Sequence, residues 1–167
     1  RSSDVTLLRL LLELGADRID YISLHSMPAN HFFLGHLTHE EATYAVLGQV
    51  DSWERRYLPE LIAACDEATR DTDRKIGLAM TEWGNVGDDP ARLHIENFGG
   101  VAYGGCFLNP LIRNAERIPI ANTTGFMHGG CLRKGFGITY YDPQYLVLQE
   151  YAAFIGQVPV ACHLTGS

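Results

Sequence analysis

Residues 75–83 read Lys-Ile-Gly-Leu-Ala-Met-Thr-Glu-Trp and decide the fold. The run from Lys75 to Met80 is almost continuously apolar and has the length of a β-strand. Such a run suits a parallel strand that is covered on both faces. It would deliver Thr81, Glu82 and Trp83 to its carboxyl end. The sequence therefore predicts a buried parallel strand that ends in a carboxylate.

Two further short strands are predicted on either side of this one. Residues 18–24 are rich in β-branched and aromatic side chains and lead to His25. Residues 117–121 form a third strand, although Pro119 removes one backbone donor from the ladder. Asn122, Thr123 and Thr124 follow that strand. Polar or ionisable side chains thus follow all three predicted strands.

Helices are predicted between and around the strands. Leucines at helical spacing predict a first helix that Gly15 stops in a left-handed conformation. Thr38 and Glu41 have the spacing of a capping box that opens a helical region. The predicted helices cover residues 4–14, two segments between 38 and 70 that meet near residue 51, residues 90–115, and residues 143–155. We predict a long, glycine-rich loop over residues 122–141.

This alternation of strands and helices predicts an α/β protein. Strands joined by helical crossovers run parallel, in either an open doubly wound sheet or a barrel. In a β/α barrel the carboxyl ends of the strands form the active-site face. His25, Glu82 and Asn122 would meet there.

Composition excludes several classes of partner. The chain has 167 residues, of which 46% are hydrophobic, and a formal net charge of -7. A negative chain lacks the attraction to phosphate that drives most nucleic-acid binding, so we expect no nucleic-acid or anionic-membrane partner. No apolar run reaches the roughly 20 residues of a membrane helix. Residues 1–20 lack a signal-peptide pattern, so a cytoplasmic and a secreted location both stay open.

The four cysteines are far apart in the sequence and do not form the C-x-x-C pairs of metal or redox sites. We therefore expect reduced, mostly buried thiols at Cys65, Cys106, Cys131 and Cys162.

Glu82 is the leading candidate for chemistry. A carboxylate between an apolar strand and a tryptophan suits nucleophilic or acid-base work, because its neighbours tune its pKa and hold its rotamer. The alternative is that Glu82 ends the strand by chance and pairs with a surface arginine.

Several motifs in their order resemble those of the family 51 α-L-arabinofuranosidases. They are Asp-Tyr-Ile-Ser-Leu-His at 20–25, Thr-Glu-Trp-Gly at 81–84, Phe-Leu-Asn at 107–109 and Arg-Ile-Pro-Ile-Ala-Asn at 117–122. The resemblance covers nearly the whole chain. It implies a partial (β/α)8 TIM barrel, with the last three strand-helix units in residues 1–157 and the start of a C-terminal β-sandwich in residues 158–167.

The resemblance also implies a retaining glycoside hydrolase with Glu82 as its nucleophile. In that family the acid/base belongs to a Gly-Asn-Glu motif after the fourth strand, and these 167 residues contain no such motif. Both ends of the chain look cut, so we expect the motif in a part that precedes Arg1. This chain would then carry the nucleophile but not the acid/base.

His25 carries over as a substrate-contacting residue, with Trp83, Asn122 and His128 as further groups around the sugar and the nucleophile. Trp83 could equally serve as core packing. The sequence departs from the family at Ser26 and Met27 and again over residues 124–128. We expect a carbohydrate substrate, with arabinofuranose as the leading sugar, no cofactor, and a possible homo-oligomer in the full-length form.

Two alternatives remain from the sequence. The cluster His25, His31, His36, His39 and Glu40 has the ingredients of a metal site, but not the H-E-x-x-H spacing. We therefore predict no metal. The second alternative is a catalytically inactive, carbohydrate-binding relative, which the departures from the family motifs would permit.

Overall fold

The computed structural model describes residues 2–26, 37–84, 98–123, 131–154 and 156. The helices in these ranges are α1 (Ser2–Gly15), α2 (His39–Ser52), α3 (Leu58–Ala68), α4 (Phe98–Arg113) and α5 (Pro143–Ala152). The strands are β1 (Tyr21–Ser26), β2 (Gly77–Trp83), β3 (Ile120–Thr123), β4 (Leu132–Gly135) and β5 (Ile138–Tyr141). The predicted start of a β-sandwich, residues 158–167, lies outside the described residues.

Strands β1, β2 and β3 form a parallel sheet with β2 in the middle. Tyr21 pairs with Gly77 at the start of β1, and Ala79 pairs with Ile120 of β3. Among the described residues, α4 lies between β2 and β3, and α2 and α3 lie between β1 and β2. The three predicted strands and their parallel arrangement are therefore confirmed.

The core lies between the sheet and the helices. Leu78 and Met80 of β2 are both fully buried and belong to one cluster with residues of α1 to α4. Side chains alternate across a strand, so Ser23, Ala79 and Ile120, which lie side by side in the register, point to the opposite face. Ser23 and Ile120 are exposed. Within the described residues, the helices thus cover one face of the sheet.

The predicted capping box at the start of α2 is present. The hydroxyl of Thr38 accepts from the backbone N–H of Glu41 at 3.2 Å, and the Glu41 carboxylate accepts from the backbone N–H of Thr38 at 2.8 Å. The two predicted helical segments run on through a π-helical stretch, Trp53–Tyr57. The junction is therefore a wide helical turn rather than a break.

Three local predictions were wrong. Gly15 ends α1 with φ at -163°, which is extended rather than left-handed, and a short 3-10 helix follows over Ala16–Arg18. Strand β3 begins at Ile120 instead of residue 117, because Pro119 has no N–H to give to the ladder. The predicted loop contains a hairpin, β4 and β5, with Gly135 paired to Ile138 across a two-residue turn.

The hairpin turn is made by Phe136 and Gly137, whose φ angles are 51° and 78°. Positive φ at both central residues matches the twist of the flanking strands. Phenylalanine is unusual in that conformation, which is why the turn was not evident from the sequence.

Helix α4 contains glycines where it packs on α5. A Cβ placed on Gly104 would lie 3.2 Å from Cγ of Gln144 and 3.6 Å from Cβ of Val147. A Cβ on Gly48 of α2 would meet nothing within 4 Å. The absence of a side chain at Gly104 therefore lets α4 pack closely on α5.

We predict that Gly104→Val lowers the free energy of unfolding by about 1–3 kcal/mol, because the added methyl groups overpack the contact between α4 and α5. The matched control is Gly48→Val, which meets open space and should change stability by less than about 0.5 kcal/mol. Urea denaturation of the two variants provides the comparison. Equal effects at both positions would contradict the packing difference.

Cysteine exposure differs among the described thiols. Cys65 and Cys131 are free and buried, whereas Cys106 is free and exposed, so the expectation of buried thiols holds for two of these three. Burial raises the pKa of the Cys65 thiol, partly offset by Arg117, which lowers it. The Cys65 thiol therefore forms its reactive thiolate less readily than an ordinary cysteine does.

We predict that iodoacetamide at mildly alkaline pH labels Cys106 in the native protein while Cys65 reacts only after unfolding. Peptide mass spectrometry of native and urea-denatured samples measures both sites. Labelling of Cys65 at the rate of Cys106 in the native state would show that its burial is wrong.

None of the helices in the described ranges combines the length and apolar character needed to cross a membrane.

Candidate active site

Strand β2 contains one residue more than its neighbours near its carboxyl end. Leu24 pairs with Met80, but the next residue of β1, His25, pairs with Glu82. Toward β3, the pairing likewise passes from Met80–Ala121 to Trp83–Thr123, three steps on β2 against two on β3. Thr81 is thus the inserted residue of a β-bulge. Such insertions interrupt the ladder and redirect side chains.

The bulge changes which face each side chain occupies. Met80 and Trp83 are both buried, whereas Thr81 and Glu82 between them are half-buried. Strict alternation would instead put Glu82 on the same face as Met80. Because the ladder skips Thr81, Glu82 lies on the face opposite Met80, and Trp83 lies on the same buried face as Met80. The bulge therefore displays the carboxylate at the strand end.

His25 lies directly beside the displayed carboxylate. Its imidazole Nδ1 is 3.5 Å from Oε2 of Glu82, and the two side chains are 56% and 42% exposed. Both groups are accessible to a ligand. The pair can hold the carboxylate in one orientation and still present an oxygen to an electrophilic carbon.

Two hydroxyl groups lie next to this pair. Oγ of Ser23 is 2.6 Å from Oγ1 of Thr81, and the Thr81 hydroxyl donates to the carbonyl oxygen of Leu24 at 3.3 Å. These contacts join β1 to β2 at the bulge.

An aromatic cluster lies under the end of β2. The ring centroid of Phe107 is 5.5 Å from that of Trp83, 5.7 Å from that of Tyr103 and 5.0 Å from that of Trp53. Tyr103 donates its hydroxyl to the carbonyl of Gly84 at 3.2 Å, and burial raises the pKa of that phenol far above its usual range. A neutral phenol therefore anchors the residue after Trp83 at any ordinary pH.

The predicted site residues fall into three groups. His25 and Glu82 are brought together. Asn122 is exposed on β3, between residues paired with Met80 and Trp83, and so lies beside the bulge. Trp83 is 1% exposed and packs on Phe107, contacts that correspond to the core-packing role. His128 lies outside the described residues.

Across the parts of the chain that the structure describes, no group of three or more His, Cys, Asp or Glu side chains could hold a metal ion. His31 and His36 of the alternative metal cluster lie outside those parts.

Comparisons with known proteins define the architecture. No protein-family model and no curated protein matches the chain. Solved structures do match. AbfB, a family 51 α-L-arabinofuranosidase from Bifidobacterium longum, shares 18% identity over 89% of this chain at a TM-score of 0.67. The GH51 arabinofuranosidase from Xanthomonas axonopodis pv. citri shares 17% identity over 89% of the chain at a TM-score of 0.72.

The chain has the fold of part of a family 51 arabinofuranosidase. It spans 32% of the length of each of the two solved chains. The predicted partial α/β barrel is therefore confirmed as a fold, and the strand ends that carry His25 and Glu82 are carboxyl ends of parallel strands. In α/β barrels that edge is where active sites lie.

Sequence reasoning about this arabinofuranosidase-like fold missed the groups that support the pair. The sequence pattern places Thr81 and Ser23 in strands and Tyr103 in a helix, and it does not show which groups their hydroxyls contact. Two polar residues in succession, Thr81 and Glu82, interrupt an otherwise apolar strand before Trp83. That break is the one sign of the bulge in the sequence.

We predict that Trp83→Ala lowers the free energy of unfolding by about 3–5 kcal/mol, because it leaves a cavity against Phe107. The control is Tyr44→Ala, which removes an aromatic ring that is 66% exposed and should cost less than about 0.5 kcal/mol. Chemical denaturation followed by circular dichroism measures both. A small effect at Trp83 would contradict its assignment to the core.

Proposed function

We propose that the protein is a retaining glycoside hydrolase, an α-L-arabinofuranosidase that removes terminal arabinofuranosyl residues from plant polysaccharides or oligosaccharides. The observation that carries the proposal is the accessible carboxylate of Glu82, displayed by a bulge beside His25 at the active-site edge of a family 51 fold.

Glu82 is the nucleophile in this proposal. Its carboxylate attacks the anomeric carbon while a second carboxylic acid protonates the leaving oxygen, and water then hydrolyses the glycosyl-enzyme. Retention requires the two carboxyl groups to be roughly 5 Å apart. The acid/base is supplied from outside these 167 residues, which lack the Gly-Asn-Glu motif of the family that the chain resembles.

The neighbouring residues orient the sugar and the nucleophile. His25 is accessible and donates or accepts hydrogen bonds with sugar hydroxyls next to the carboxylate. Asn122 offers an amide from β3 on the other side of β2. His128 is proposed as a further substrate contact. Trp83 is buried against Phe107, and we propose that it fixes the strand end that carries the Glu82 carboxylate.

The proposal includes the wider predictions made from the sequence. Residues 1–157 form the barrel part and residues 158–167 begin a β-sandwich. The partner is a carbohydrate and the chemistry uses no cofactor.

We predict that Glu82→Ala in the natural full-length protein lowers kcat on 4-nitrophenyl α-L-arabinofuranoside by several orders of magnitude, because covalent catalysis cannot survive loss of the attacking carboxylate. The matched control is Glu150→Ala, which removes an exposed carboxylate on α5 and should leave kcat unchanged.

Sodium azide sharpens the test. In Glu82→Ala the space left by the carboxylate admits azide, which can attack the anomeric carbon and release 4-nitrophenolate without help from an acid. Formation of an arabinosyl azide of inverted configuration supports Glu82 as the nucleophile. Undiminished hydrolysis by Glu82→Ala would overturn the proposed role, and an inactive wild-type protein that still binds arabino-oligosaccharides would favour the binding alternative.

A further inference from the structure

The bulge that displays Glu82 needs something to hold it. An inserted residue leaves the backbone ladder locally unpaired, so the register of β1 against β2 is not enforced there by regular hydrogen bonds alone. The contacts of Ser23 and Thr81 lie at this point. Ser23 is two residues before His25 on β1, and Thr81 is the inserted residue itself, directly before Glu82.

The hydrogen-bond directions follow from the number of protons. A hydroxyl group has one proton to donate. The Leu24 carbonyl can only accept, so both contacts are made at once when Thr81 donates to Leu24 and Ser23 donates to Thr81 in the 2.6 Å contact. The result is a chain of two hydrogen bonds that leaves β1 at Ser23, passes through Thr81 and returns to β1 at Leu24.

This hydrogen-bond chain involves the residue directly before His25 and the residue directly before Glu82. The Leu24 carbonyl belongs to the peptide unit that leads into His25, and Thr81 leads into Glu82. One hydroxyl therefore ties together the two backbone segments that carry the imidazole and the carboxylate. Any slip of the bulge would change the 3.5 Å separation of His25 and Glu82.

We propose that Ser23 and Thr81 are positioning residues, whose hydroxyl chain holds the bulge so that Glu82 meets the anomeric carbon in line. The proposal rests on the function proposed above for Glu82. Neither hydroxyl needs to touch the sugar. Their effect is on the geometry of the attacking carboxylate, and a displacement of about 1 Å of a reacting group can cost roughly 10²-fold in rate.

The decisive variant is Thr81→Val in the natural full-length protein, because valine keeps the shape and strand preference of threonine and removes only the hydroxyl. We expect a loss of about 10- to 100-fold in kcat on 4-nitrophenyl α-L-arabinofuranoside, with KM changed by less than about threefold. Thr81→Ser keeps the hydroxyl and should restore kcat to within about threefold of the wild-type value. The matched control is Thr139→Val, at an exposed position of β5.

Ser23→Ala and the double variant test the chain itself. Ser23→Ala leaves the bond from Thr81 to Leu24 in place, so it should lower kcat less than Thr81→Val does. If Ser23 acts only through Thr81, the double variant Ser23→Ala/Thr81→Val has the same kcat as Thr81→Val alone. If the losses in kcat of the two single variants multiply in the double variant, Ser23 acts by another route, and the proposed hydrogen-bond chain is wrong.

An effect on stability can be distinguished from an effect on positioning by measuring the amount of folded enzyme. Active-site titration corrects kcat for the fraction of folded enzyme, so a purely structural role would leave the corrected kcat unchanged. A normal corrected kcat in Thr81→Val overturns the proposal. If Thr81→Val does not fold, Ser23→Ala at its exposed position takes its place, and a normal kcat there overturns the proposal equally.

Glu82→Ala distinguishes the two levels of inference. If that variant loses activity and Thr81→Val does not, the positioning role fails while the nucleophile stands. If Glu82→Ala retains full activity, both fail.

Discussion

The position of one extra residue in β2 governs the candidate site. Strand β2 must pack Met80 and Trp83 against the helices and also present a carboxylate on the other side. A regular strand cannot do this, because side chains separated by an odd number of positions point to opposite faces. The bulge at Thr81 lets Met80 and Trp83 share one face although they are three positions apart. The site therefore depends on a local irregularity in the backbone as much as on the identity of Glu82.

The surrounding structure supports that irregularity from two sides. On the helix side, Phe107 lies against Trp83, and Tyr103 holds the carbonyl of Gly84. On the open side, the hydroxyls of Ser23 and Thr81 tie the bulge to β1. The aromatic contacts limit where the strand can end, and the hydroxyl contacts limit its register. Together these contacts hold the strand end in place while the carboxylate of Glu82 remains accessible.

Much of this architecture could be predicted from the sequence, since apolar runs and helical spacing depend on a few neighbouring residues. The parallel strand at residues 75–83 and the capping box at Thr38 are of this kind. The pair of His25 and Glu82 followed from their places at strand ends. Register could not be predicted, because it depends on contacts between distant segments. The hairpin was missed because Phe136 occupies a turn position where asparagine or glycine is usual.

The bulge also has a consequence for how this segment can change in evolution. If Thr81 paired as a regular ladder residue, Glu82 would turn toward the apolar core and Trp83 toward the open face of the sheet. A buried charge and an exposed indole would be created in one step, and each is costly. Loss of the single codon for Thr81 would instead keep both side chains on their present faces, because Glu82 and Trp83 would then alternate regularly after Met80. Such a deletion would spare the core and remove the hydroxyl contact that Thr81 makes with β1.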